Sequence, residues 1–117
     1  MSDLQLSDTT NYTKVCKLSE LIPNRGKRVF VGDVDIAIFL IEGEVRAFSN
    51  ICPHQHSAIL YDGFIEGNNV VCPAHGWEFD VCTGKKAGGS RGIKTFPVLI
   101  ANSYVWINAE IKESSIF

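Results

Sequence analysis

The sequence lacks several features that mark common functional classes. Its 117 residues include only three histidines, four cysteines and one methionine, and the formal net charge is −2. Without an excess of basic residues, no electrostatic field draws the chain to nucleic acid or to anionic lipid. The longest apolar run, Ile36 to Ile41, is far too short to cross a bilayer. We therefore expect no nucleic-acid partner and no membrane partner.

The first ten residues also lack the basic and apolar regions of a secretory signal, since they are polar and acidic. In a reducing compartment the four cysteines are better explained as metal ligands or buried thiols than as a disulfide framework. The length is close to that of a common domain. We expect a soluble cytoplasmic protein that forms one domain, 1–117.

Hydrophobic periodicity predicts a β protein, because no window of helical length shows a period of 3.6 residues. Short runs rich in Val, Ile and Phe alternate with Gly, Asn and Asp turns. The clearest predicted strands are 12–16, 28–31, 34–41 and 44–49. The last run, "IKTFPVLIANSYVWINAE", predicts a hairpin about Asn102 and Ser103. Many short strands with frequent turns indicate an all-β, antiparallel β-sandwich or barrel.

Two short stretches combine cysteine, proline and histidine in a similar order. The first loop, "ICPHQHSAIL" (51–60), contains Cys52 and His54, and the second loop, "VCPAHGWEFD" (71–80), contains Cys72 and His75. Two thiolates and two imidazoles suit a tetrahedral zinc ion. Because each loop mixes the two ligand types, a binuclear iron–sulfur centre fits better, with the cysteines on one iron and the histidines on the other. Structural zinc remains the alternative.

The two loops together resemble the Rieske [2Fe–2S] pattern, C-x-H followed by C-x-x-H. The similarity extends to "GEVRAF" before the first loop, "FDVCTG" after His75 and "IKTFPV" near the end. It implies the Rieske fold of iron–sulfur proteins of the ISP type, an antiparallel β-sandwich with a small inserted cluster-binding subdomain. The implied base sandwich covers about 10–50 and 92–110, and the implied subdomain covers about 51–91.

The resemblance also implies the cofactor and its ligands. One [2Fe–2S] cluster would be held by Cys52 and Cys72 on the inner iron and by His54 and His75 on the outer iron. The implied function is one-electron transfer from a flavin-containing NAD(P)H-dependent reductase to a terminal oxygenase, with no catalysis by the chain itself. The alternative is the small Rieske subunit of an NAD(P)H nitrite reductase-like complex.

Residues around the ligands predict a low reduction potential. High-potential relatives have a disulfide between the two loops and hydroxyl groups near the sulfurs, whereas the matching positions here are Ser57, Ala74, Trp77 and Phe79. Fewer donors leave the charge of the reduced state less stabilised. We expect a potential near the low end of the range for such centres, about −150 mV.

Four further features lie outside the proposed ligand set. His56 is expected to be an exposed loop side chain, the alternative being a proton acceptor or docking contact. Cys16 and Cys82 are expected to be buried inert thiols. Basic residues in Lys85 to Lys94 form either a docking patch for an acidic partner or a solvated loop, and the sequence favours neither.

Overall fold

The computed structural model describes residues 11–54, 56–74, 76–89 and 92–109, and these ranges consist mainly of short strands. Two single 3₁₀ turns, Leu18–Glu20 and Leu60–Asp62, interrupt them, and no helix in the described ranges is long and apolar enough to cross a membrane. In chain order the strands are β1 Thr13–Lys17, β2 Lys27–Val31, β3 Val34–Ile41, β4 Glu44–Ser49, β5 Ile51–Cys52, β6 Ser57–Ala58, β7 Phe64–Glu66, β8 Asn69–Val71, β9 Glu78–Asp80, β10 Thr95–Phe96, β11 Val98–Ala101 and β12 Tyr104–Ile107.

The strands form four antiparallel sheets. The largest has the order β10-β4-β3-β2, and a second has the order β1-β12-β11. The sheets β7-β8-β9 and β5-β6 lie between β4 and β10 in the chain. The prediction of an all-β, antiparallel fold is confirmed, and β3 and β4 have the bounds that the sequence predicts.

Strand β3, in the middle of the four-stranded sheet, is covered on both faces, which explains its apolar run. Successive side chains of a strand point to opposite faces. Ile36 and Ile38 therefore belong to one buried cluster and Ala37 and Phe39 to another, with Phe39 stacked on Phe48 of β4 at 5.7 Å between ring centres. A strand covered on both faces reads as a continuous hydrophobic run.

We name the two clusters by what lies around them. The sandwich cluster separates the two larger sheets, and the loop-side cluster lies on the opposite face of β3 and β4. The sandwich cluster contains Cys16, Leu21, Val29, Ile36, Ile38, Ala47, Phe96, Val105, Ile107 and Ala109. The loop-side cluster contains Ala37, Phe39, Ile41, Phe48, Cys52, Leu60, Val70, Cys72, Phe79, Val81 and Ile93.

The closing segment differs in part from its prediction. Strands β11 and β12 do form a hairpin, and its turn residues Asn102 and Ser103 both have left-handed backbone angles, with φ of 55° and 69°. Strand β10, however, pairs with β4 in the other sheet. The prediction that the whole segment forms one hairpin was therefore wrong for the residues that precede Pro97. Proline lacks an N–H for the ladder, so it suits the point where the chain changes sheets.

Candidate metal centre

The first loop folds back tightly on its cysteine. Strands β5 and β6 pair Cys52 with Ser57, and the His56 amide donates to the Cys52 carbonyl at 2.7 Å. This turn requires a left-handed backbone at His56, where φ is 58°. Cys52 is 1% exposed, whereas His54 is exposed. The loop therefore buries its thiol and presents its imidazole at the surface.

The second loop repeats this geometry. The Gly76 amide donates to the Cys72 carbonyl at 2.9 Å, and Gly76 also has a left-handed backbone, with φ of 77°. The Cys72 amide donates to the Trp77 carbonyl at 2.8 Å, and Cys72 is 1% exposed. In each loop the cysteine carbonyl thus accepts the amide four residues later. His75, the predicted fourth ligand, lies outside the described residues, so its role stays a prediction.

Both predicted cysteine ligands belong to the loop-side cluster. There they lie among apolar side chains such as Leu60 and Phe79, both fully buried. Within the described ranges, no three His, Cys, Asp or Glu side chains are arranged to hold a metal ion. The predicted ligand set also requires His75, which lies outside those ranges. Two buried thiols with an imidazole at the rim fit the donor set of a Rieske centre, in which cysteines hold one iron and histidines the other.

An indole ring lies beside the predicted histidine ligand. The Trp77 ring is 4.4 Å from the His54 ring, centre to centre, at an angle of 30°, and it is 6.4 Å from the Phe79 ring. Trp77 is half-buried and Phe79 is fully buried. Neither side chain has a hydroxyl group. The surroundings of His54 on this side are therefore aromatic.

A lysine extends this aromatic contact. The Lys86 Nζ atom lies 4.4 Å from the centre of the Trp77 ring, a cation–π distance, and it donates to the Ala87 carbonyl at 3.3 Å. Lys85 is exposed, and Arg91 lies outside the described residues. Several basic residues follow the second loop in the sequence, but nothing in the sequence indicates which of them contacts Trp77.

A buried polar network fixes the entry to the first loop. Asn50, fully buried, donates from Nδ2 to Asp35 Oδ1 at 3.0 Å and accepts the Tyr61 amide at 2.6 Å. Arg28 donates to both Asp35 oxygens, at 3.0 and 2.7 Å. These Arg28 bonds, followed by the Asn50 bond, hold the pKa of the Asp35 carboxyl below its ordinary value. The sequence analysis missed this network, although Asn50 comes directly before the first loop, two residues from Cys52.

The two remaining cysteines lie in different surroundings. Cys16 is buried in the sandwich cluster, as predicted, and burial raises the pKa of its thiol. Cys82 is exposed, so the prediction that it is buried was wrong. The Asp80 carboxylate accepts the amides of Cys82 and Thr83 at 2.8 and 2.9 Å, which turns the chain outward at the end of β9. Cys16 and Cys82 form no disulfide with each other.

Comparison with known proteins identifies the family. The model of the Rieske [2Fe-2S] domain matches residues 11–97. The ferredoxin component of the naphthalene 1,2-dioxygenase system of Pseudomonas putida is 38% identical over 102 residues, which are 86% of this chain and 97% of that protein.

Solved structures agree on the fold. A complex of reduced oxygenase and oxidized ferredoxin in carbazole 1,9a-dioxygenase includes a chain 30% identical to this one, with a TM-score of 0.72 over 80% of this chain and 98% of that one. A protein assigned as the small subunit of NADH-dependent nitrite reductase from Mycobacterium tuberculosis has a TM-score of 0.80 over 86% of this chain and 96% of that one. Its identity is 21%, so it supports the fold alone. With two matching loops, two buried cysteines and a family match over most of its length, this chain belongs to the Rieske [2Fe-2S] domain family.

Proposed function

We propose that this protein is a one-electron carrier that holds one [2Fe–2S] cluster and passes electrons from a flavin-containing NAD(P)H-dependent reductase to a terminal oxygenase. The observation that carries the proposal is the matched geometry of the two loops. Each loop places a buried cysteine in the same apolar cluster, and the first also exposes a histidine at the surface.

The proposed ligands have distinct roles. Cys52 and Cys72 would hold the inner iron as thiolates in the apolar interior. His54 and His75 would hold the outer iron, and the exposure of His54 gives electrons a short route between the protein surface and the centre. When bound, the cluster supplies reversible one-electron chemistry, with histidine ligation raising its potential above that of a four-cysteine cluster.

The partners are proposed from the relatives. The Pseudomonas putida relative is the ferredoxin component of a dioxygenase system, and the solved complex contains a ferredoxin together with an oxygenase. A terminal oxygenase as acceptor and a flavin-containing reductase as donor follow for this chain by analogy. The nitrite reductase alternative has weaker support, because neighbours of that kind are 21% and 24% identical and so support the fold alone. Co-purification with a large sirohaem protein would favour that alternative.

Three further expectations belong to the same proposal. The chain would not itself activate oxygen, because a mononuclear iron site needs two histidines and a carboxylate, and the cluster leaves only His56.

The domain division belongs to the same proposal. The position of β5 to β9 between β4 and β10 in the chain supports one domain with a cluster-binding subdomain of about 51–91 and a base of 10–50 and 92–110. The proposed compartment is the cytoplasm, where Cys16 and Cys82 would stay reduced.

Metal analysis of matched cysteine variants tests the proposal. Protein purified without oxygen should contain two irons and two acid-labile sulfides per chain, as should Cys82→Ser, because Cys82 is an exposed turn residue outside the proposed ligand set. Cys72→Ser should lose the cluster. One zinc per chain with no sulfide, or a full cluster in Cys72→Ser, would overturn the proposal.

A further inference from the structure

We propose that Lys86 raises the reduction potential of the cluster, and that Trp77 holds the lysine in the place from which it does so. The inference rests on the proposed function, because it requires a cluster bound through His54. It concerns a side chain that is neither a ligand nor a residue of the two cysteine–histidine motifs.

Distances connect the lysine to the proposed ligand through one aromatic ring. The Lys86 ammonium and the His54 imidazole each lie 4.4 Å from the centre of the Trp77 ring. The ammonium is therefore no farther than about 9 Å from the centre of the imidazole ring. At this distance, in a partly buried site, its charge interacts electrostatically with a group bound to that ring. Tryptophan is also the aromatic residue that attracts a cation most strongly.

The backbone around Lys86 fixes where its side chain begins. Lys86 forms an antiparallel bridge with Phe79, the residue two positions after Trp77. On either side of this bridge the Asp80 amide donates to the Lys85 carbonyl at 2.8 Å, and the Ala87 amide donates to the Glu78 carbonyl at 2.9 Å. Lys86 therefore continues the β7-β8-β9 sheet by one residue beside Phe79.

A glycine leaves room for the lysine side chain. A Cβ atom at Gly89 would lie 3.0 Å from Lys86 Cδ and 3.1 Å from Lys86 Nζ, closer than such contacts normally are. The half-buried lysine thus lies against the Gly89 backbone on one part of its surface and against the indole ring on another. These contacts fix the position of the Lys86 ammonium, unlike that of a lysine whose side chain extends into solvent.

The electrostatic consequence follows from the charge change. Reduction adds one negative charge to the centre, and a nearby positive charge stabilises that state. Among the described residues no carboxylate forms an ion pair with Lys86, so its charge is not neutralised locally. The neighbouring Lys85 has the same charge but is exposed, where water screens it more strongly.

Reduction potentials of charge-matched variants test the inference. At low ionic strength, Lys86→Gln should lower the equilibrium constant for reduction at least threefold more than Lys85→Gln does, about 28 mV at 59 mV per tenfold change. Lys86→Arg, which keeps the charge and the cation–π contact, should retain the wild-type potential. Absorption and EPR spectra confirm that each variant contains the cluster before its potential is compared.

The outcomes separate the two proposals. If no variant and no wild-type protein contains a cluster, the proposed function fails. If the cluster is present and Lys86→Gln shifts the potential no more than Lys85→Gln, the inference about Lys86 is wrong while the proposed function stands.

A double-mutant cycle tests the role of Trp77. In a Trp77→Leu background, Lys86→Gln should shift the potential less than it does in the wild type, because the lysine has lost the ring that holds it. An equal shift in both backgrounds would contradict the role of Trp77.

Discussion

At the scale of single residues, Asn50 connects three segments through its amide and backbone. Its side chain bonds to the Asp35 carboxylate of β3 and to the Tyr61 amide, and its own backbone amide donates to the Asp35 carbonyl at 3.0 Å. Asn50 is fully buried and its partners Asp35 and Tyr61 are partly buried, so polar groups left unpaired here would be costly. Asn50 thereby fixes the chain direction immediately before Cys52.

Asn50→Ala should lower the free energy of unfolding by about 2 kcal/mol, because the Tyr61 amide and one Asp35 oxygen, both partly buried, lose their hydrogen-bond partner. Urea denaturation measures the change. Asn68→Ala is the matched control, since Asn68 is an exposed turn residue and its replacement should change stability by less than about 0.5 kcal/mol. Equal effects of the two substitutions would contradict the role given to the network.

Residue chemistry explains which of these roles the sequence could predict. Cysteine and histidine can be proposed as ligands from their type and spacing alone, as in the first loop. Asn50 and Lys86 are common residue types, and their roles depend on contacts with Asp35, Tyr61 and Trp77 that only the fold creates. The exposure of Cys82 likewise depends on how the Asp80 carboxylate turns the chain.

At the scale of elements, the two loops are equivalent turns with a different residue at the left-handed position. His56 in the first loop and Gly76 in the second loop both adopt a left-handed backbone and both donate to a cysteine carbonyl. Glycine adopts this conformation without steric cost, whereas histidine tolerates it at some expense. Its exposed side chain fits the expected role of a solvated loop residue.

His56→Gly should raise the free energy of unfolding by up to about 1 kcal/mol, because relief of left-handed strain exceeds the added entropy of the unfolded glycine. The reduction potential should not change. His56→Ala keeps the Cβ atom and should show no such gain in denaturation experiments. A shifted potential or slower electron transfer in His56→Gly would instead support the alternative, in which His56 accepts a proton or contacts a partner.

The elements themselves were predicted where local signals are strong. Strands β3 and β4 combine apolar residues with a glycine turn between them, so their bounds follow from the sequence. The assignment of β10 to the other sheet could not be predicted, because it depends on a long-range pairing of Thr95 and Phe96 with Phe48 and Ala47. Such a pairing leaves little trace in local periodicity.

At the scale of the whole molecule, the four-stranded sheet separates two cores with different contents. The sandwich cluster contains neither proposed cysteine ligand, whereas the loop-side cluster contains both. The four-stranded sheet therefore supplies, through Ala37, Phe39 and Phe48, a buried face in the same cluster as Cys52 and Cys72. This division explains how a small β protein can bury two thiols and still keep His54 exposed.

The surroundings of the loops predict the potential of the intact protein. Ser57 and Ala74 cannot form the disulfide of high-potential centres, and Trp77 and Phe79 have no hydroxyl group to donate. The proposed effect of Lys86 would offset only part of that difference. A spectroelectrochemical titration should therefore give a midpoint near the low end of the Rieske range, about −150 mV. A clearly positive midpoint would show that other groups stabilise the reduced state.

The most direct test of the central claim is the EPR spectrum of the purified protein after reduction with dithionite. A centre held by two cysteines and two histidines predicts a rhombic signal from one unpaired electron per two irons. A colourless protein without this signal would contradict the assignment of Cys52, His54, Cys72 and His75 as ligands of a Rieske cluster.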